Sequence, residues 1–129
     1  MPRKYENKSI HNRDFLDSVV NDYPNEYFDW KVTIQFYAAL HRCYCVIMIN
    51  GIDIVQKHMA NITNLKSINS DLGVRLFKLY KNSRQARYDG FLTEEAMLRI
   101  NKLNFEEGNR LLQTLENECL KYYPVIQSR

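Results

Sequence analysis

The stretch Tyr37-Ala38-Ala39-Leu40-His41-Arg42-Cys43-Tyr44-Cys45-Val46-Ile47-Met48-Ile49-Asn50-Gly51 decides the fold of this chain. It predicts the second half of a long helix from about Tyr27 to Asn50. Gly51 stands where a helix end favours the left-handed backbone conformation. The first half of the helix mixes polar Lys31, Thr33 and Gln35 with apolar residues, whereas Cys43 to Ile49 is apolar on every side. A segment of that kind lies at the centre of a bundle or beneath a second subunit. The expectation here is a second subunit, and hence a homodimer.

Working outward, residues from about Ile10 to Asn21 form a modest amphipathic helix whose stripe is Phe15, Leu16, Val19 and Val20. Pro24 then breaks the pattern. Beyond Gly51 the signal weakens, and Val55, Met59, Ile62 and Leu65 support only a short helix from about Gln56 to Leu65. From Asp71 it sharpens again. Leu72, Leu76, Leu79, Ser83 and Ala86 share one face, flanked by Phe77 and Tyr80, with Asn69 or Ser70 as N-cap and Gly90 as terminator. Thr93 opens a last helix to about Tyr122, where Pro124 closes it. Glu94 and Glu95 suit its positive end, and its stripes run through Ala96, Ile100 and Leu103, then Leu111, Leu115, Cys119 and Tyr122.

No run alternates apolar and polar residues, and Asp89-Gly90 joins two helical patterns instead of two strands. The expected fold is all-α, an up-down bundle of four main helices plus one short one, in a single domain covering 1–129. At 129 residues the chain is long enough to bury a core without staples. Only four Gly and three Pro are present, so turns are few and elements long. A net charge of +3 permits a nucleic-acid or nucleotide partner without demanding one.

Three cysteines, two of them two residues apart in a helix, read as buried free thiols in a reducing compartment. The polar opening sequence carries no export signal, and the run from Cys43 to Ile49 is too short to span a bilayer. The expected location is cytoplasmic, with no membrane partner.

Arg84, Arg87 and Tyr88 recur at three- and four-residue spacing, so they project from neighbouring turns of one helical face. Two guanidinium forks one turn apart can clamp a phosphate, and a tyrosine beside them can stack on a base. Alternatively the arginines solvate a surface or pair with Asp89 and Glu94. His41 sits in mostly apolar company, either as a satisfied core residue or as an acid, base or phosphate donor near the arginines. His58 is the other candidate imidazole. His11 is expected in solvent. No glycine-rich phosphate loop, nucleophile elbow or metal-ligand spacing is present, so no cofactor, metal or catalytic residue is assigned.

Asp29-Trp30, Phe36-Tyr37-Ala38-Ala39-Leu40-His41, His58 and Ser83-Arg84-Gln85-Ala86-Arg87-Tyr88-Asp89-Gly90 together resemble the superfamily of nucleotide-binding domains of higher eukaryotes and prokaryotes, HEPN. The likeness is to a compact prokaryotic branch and spans about Asp29 to Gly90. It implies a dimeric bundle of four or five helices, among relatives that include RNA-cleaving toxins of toxin–antitoxin pairs, nucleotide-binding domains and partners of minimal nucleotidyltransferases. The ribonucleases of that superfamily carry an arginine followed within a short distance by a histidine. Here no arginine stands that close before His11, His41 or His58, and Asp89-Gly90 occupies the place of the histidine after Arg84.

The resemblance therefore implies a module that binds a nucleotide or RNA phosphate through Arg84, Arg87, Tyr88, His41, His58 and Asp89, without assigned catalysis. Two alternatives accompany it. One is a metal-independent endoribonuclease with a rearranged Arg/His site, and the other a regulatory subunit, for example of a minimal nucleotidyltransferase.

Overall fold

The computed structural model describes residues 2–88 and 94–122. They form helices α1 (Pro2–Asp22), α2 (Phe28–Ile49), α3 (His58–Ile68), α4 (Ser70–Tyr88) and α5 (Glu94–Cys119), with no strand among the described residues. The fold is an all-α helical bundle, four long helices and one short, as the sequence predicts.

Helix α2 is its axis and touches all four others. It runs antiparallel to α1, with Tyr5 against Tyr44 at one end and Lys31 against the Tyr23 carbonyl at the other. It runs parallel to α5, where Phe28 meets Phe105 and Gln35 meets Asn109. Cys43 to Ile47 are all buried within this one chain. Within the run, Cys43 to Ile47 are covered by the chain's own helices and need no second subunit for their burial, whereas Met48 is half-buried and Ile49 exposed. By length and composition the whole of Phe28–Ile49 could cross a membrane, more than the run from Cys43 suggested, yet most of it is buried inside the bundle. Lys31, Gln35 and Arg42 are among its buried residues.

Helix ends obey local chemistry. Gly51 has φ +80°, its N–H donates to Met48 at 3.0 Å, and the next N–H, of Ile52, reaches back to Ile47 at 3.2 Å. That is the paired closure expected of a glycine terminator. Asn69 caps α4, its Oδ1 accepting from the Leu72 N–H at 3.1 Å. The loop from α2 to α3 is tied down by buried Asn61. Its amide donates to the Val55 carbonyl (2.7 Å) and the Tyr44 hydroxyl (3.0 Å), and its Oδ1 accepts from the Val55 N–H (3.0 Å).

Three expectations are corrected. Helix α1 begins at Pro2, eight residues before the predicted start near Ile10. Its first turns bury polar side chains, Glu6 and Ser9, with the Ser9 hydroxyl donating to the Ala38 carbonyl at 2.7 Å. An apolar periodicity cannot register a face of that kind. Phe15, placed in the α1 stripe, is exposed while Leu16 is buried. In α5, Leu103 is exposed, and the buried line runs through Asn101, Phe105, Gly108, Leu112, Leu115 and Cys119. Phe105 against Phe28 fixes that phase. The α4 stripe from Leu72 to Ala86 is buried as predicted. The Gly90 and Pro124 terminators lie outside the described residues.

Candidate phosphate-binding face

His41 and His58, seventeen positions apart in sequence, come together on one face because α3 begins at His58 beside the middle of α2. The Tyr37 ring lies 6.2 Å from His41 and 6.1 Å from His58, centroid to centroid. His58 also stands edge-on to Phe36 at 5.4 Å and to Tyr80 of α4 at 6.1 Å. Tyr80 in turn carries Arg84: the guanidinium lies 5.8 Å from the ring centre and donates to the phenol oxygen at 3.1 Å.

At the other end, Tyr5 of α1 stacks on His41, 6.1 Å away with the rings 11° from parallel. The ammonium groups of Lys4 and Lys8 lie 5.7 and 5.9 Å from the Tyr5 ring. A continuous line of rings therefore crosses four helices, Tyr5–His41–Tyr37–His58–Tyr80, with lysines at one end and an arginine at the other. Each ring in it is partly exposed, and Lys4, Lys8 and Arg84 are exposed. A groove of about 420 Å³ opens beside His41, lined by Asn7, Lys8, His11 and Asn12.

The electrostatics divide the work. Burial, reinforced by the Lys8 ammonium, lowers the His41 pKa to about 4, against a smaller opposing effect from the Tyr37 carbonyl. Burial also lowers that of His58, whose buried Nδ1 has no hydrogen-bond partner. Both imidazoles are thus neutral near pH 7. His41 Nδ1 faces the Asn12 side-chain amide at 3.1 Å, so the neutral imidazoles serve as hydrogen-bonding groups, whereas the attraction for an anion falls to Lys4, Lys8 and Arg84.

Of the residues singled out from sequence, the structure joins His41, His58 and Arg84. The side chains of Arg87 and Tyr88, and Asp89 altogether, lie outside the described residues. Sequence reasoning placed Tyr37 on the face of His41 but missed Tyr5, Lys8 and Tyr80 as members of it. Lys8 and Asn12, one turn apart at i,i+4, were the available signal, hidden by starting α1 too late. His11, expected in solvent, is exposed but borders the groove. Among the described residues no three His, Cys, Asp or Glu side chains are grouped to hold a metal ion.

No family model matches the chain, and no curated protein or solved structure does.

Proposed function

We propose that this chain is a HEPN-like helical module that binds the phosphate of a nucleotide or of single-stranded RNA across the ring line between Lys8 and Arg84. The observation that carries the reading is the line of partly exposed rings on one face with cations at both of its ends. Single-stranded nucleic acid is held by that combination, stacking on aromatic faces and ion pairing along the backbone. Tyr5 and Tyr80 offer the stacking surfaces, and Lys8 and Arg84 the phosphate contacts. The neutral histidines hydrogen-bond ribose hydroxyls or base edges.

The test is a fluorescence-anisotropy titration with labelled RNA oligomers and with nucleotides at several salt concentrations. Lys8→Ala and Arg84→Ala should each weaken binding and flatten the salt dependence. Tyr5→Ala should weaken binding without changing the salt slope. Equal affinity in all of them, or none in the parent protein, removes the reading.

One observation favours a second reading, metal-independent RNA cleavage. His58 is a partly exposed imidazole, neutral near pH 7, two ring contacts from a guanidinium. A base and a cation are the parts that deprotonating a ribose 2′-hydroxyl and stabilising the resulting phosphorane require. Incubation of the RNA oligomers with the parent protein and a His58→Ala variant in the presence of a chelator decides it. Only cleavage lost with the imidazole supports the reading.

A further inference from the structure

Between Asp14 and Trp30 the chain carries five of its fifteen carboxylates, Asp14, Asp17, Asp22, Glu26 and Asp29, and none of its eighteen lysines and arginines. The same segment holds a cluster of exposed aromatic side chains. Phe15 (53%), Tyr23 (46%), Tyr27 (48%) and Trp30 (61%) are all exposed, and with Val19 and Ile34 they line an apolar groove of about 290 Å³ where α1 hands over to α2. The two cations bordering the segment are engaged. Arg13 lies 3.9 Å from Asp17 and 3.8 Å from Glu116, and the Lys31 ammonium is buried beneath the Tyr23 carbonyl.

Single exposed apolar residues are ordinary, but four aromatic rings around one groove are not, and tyrosine and tryptophan are the side chains that most often anchor interfaces. The charge around them selects the occupant. Asp22, Glu26 and Asp29 directly precede Tyr23, Tyr27 and Trp30 in sequence, so a second copy docking about a two-fold axis would set these carboxylates against their own copies, and a nucleic acid or an anionic lipid surface would be repelled in the same way.

We infer that this groove docks a basic amphipathic segment of a different protein, with one or two aliphatic or aromatic anchors in the groove and lysines or arginines drawn to Asp22, Glu26 and Asp29 beside it. The interaction is independent of the ring line between Lys8 and Arg84. Charge attraction sets its on-rate and salt sensitivity, and burial of Phe15 and Trp30 sets its lifetime.

Trp30 is the only tryptophan of the chain and reports directly on the groove. The experiment titrates the full chain with a synthetic peptide of leucine and lysine at helical spacing, alongside versions with serine for leucine and glutamate for lysine. Trp30 emission and the anisotropy of labelled peptide are the readouts. The leucine–lysine peptide should give a saturable blue shift that weakens with salt. Its affinity should fall by about ten-fold in Trp30→Ala and Phe15→Ala, as expected for interface anchors, and by less in Asp22→Asn/Glu26→Gln. These side chains are exposed, and circular dichroism verifies that each variant keeps its helices. The inference is overturned if no saturable shift occurs, if the serine peptide binds as well as the leucine one, or if Phe15→Ala leaves affinity unchanged. It is also overturned if sedimentation shows the chain associating with itself through Trp30.

Discussion

The guanidinium of Arg84 donates to the hydroxyl of Tyr80 one turn earlier at 3.1 Å, and so is held over a ring that also stands edge-on to His58. A side chain at the exposed end of α4 is thereby tied to the imidazole that opens α3. A guanidinium presents its N–H donors in a planar fork, the geometry that recognises a phosphate. Tyr80→Phe should retain the ring contact but release the guanidinium, lowering affinity for RNA oligomers a few-fold, less than Arg84→Ala. The slope of log affinity against log salt should fall by about one for Arg84→Ala and stay near the parent value for Tyr80→Phe. Equal slopes in all three proteins would place Arg84 outside the contact.

His41 makes stability depend on pH. It faces Lys8, His58 and the rings of Tyr5, Tyr37 and Tyr44, so burial and positive neighbours depress its pKa from 6.5 unfolded to about 4 folded. The unfolded state therefore binds the extra proton first. The contribution is complete above pH 6.5 and is lost as pH falls towards 4, a change of about 2 kcal/mol once partial exposure is allowed for. Urea midpoints for the parent and for His41→Gln, measured from pH 7.5 down to pH 4, should converge over that window. Parallel curves would deny the imidazole this role.

Gly108 admits Gln35. A Cβ added at Gly108 would stand 2.7 Å from the Gln35 Cδ, inside contact distance, while the Gln35 amide donates to the Phe105 carbonyl (3.0 Å) and to Asn109 Oδ1 (2.9 Å). Gly108→Ala ordinarily helps a helix. Here it should destabilise by about 1–3 kcal/mol, since the crowding outweighs the propensity gain. The urea midpoint reads it, and Gly108→Ala/Gln35→Ala should recover part of the loss.

Asn61 is a harder test of the loop that positions His58. Its three hydrogen bonds join Val55, Tyr44 and α3 in a buried setting. Asn61→Leu should cost about 2–4 kcal/mol, because the Val55 amide and carbonyl lose their side-chain partner. Hydrogen exchange should locate the new opening in residues 50–58 and not in α5.

All three cysteines are buried and free, and Cys43, beside Cys119 across the α2–α5 contact, has its thiol pushed well up by burial. A charged disulfide reagent at pH 8 should therefore find no rapidly reacting thiol in the native protein and three in denaturant. Fast labelling of a native thiol would contradict the packing of α2 on α5.

How far the chain was readable depended on whether a face announced itself by apolarity. The α4 line Leu72, Leu76, Leu79 did, and so did the unbroken run of α2. The first turns of α1 did not: Ser9 satisfies its hydroxyl on the Ala38 carbonyl, so that face is buried without being hydrophobic. The same blind spot hid Lys8, and with it the groove beside His41. Phe15 and Leu103 erred in the opposite sense, as apolar residues that point outward.

Sequence by itself determined that this chain is helical, where its long helices turn, and which helix is greasiest, because periodicity, proline and glycine act over a few neighbouring residues. Only the tertiary structure decided that Cys43 to Ile47 are buried by the chain's own helices, that His58 meets Tyr80 and His41 meets Tyr5, and that four exposed rings gather around one groove. Those relationships join residues distant along the chain, and they are fixed by how helices pack, which no local pattern encodes.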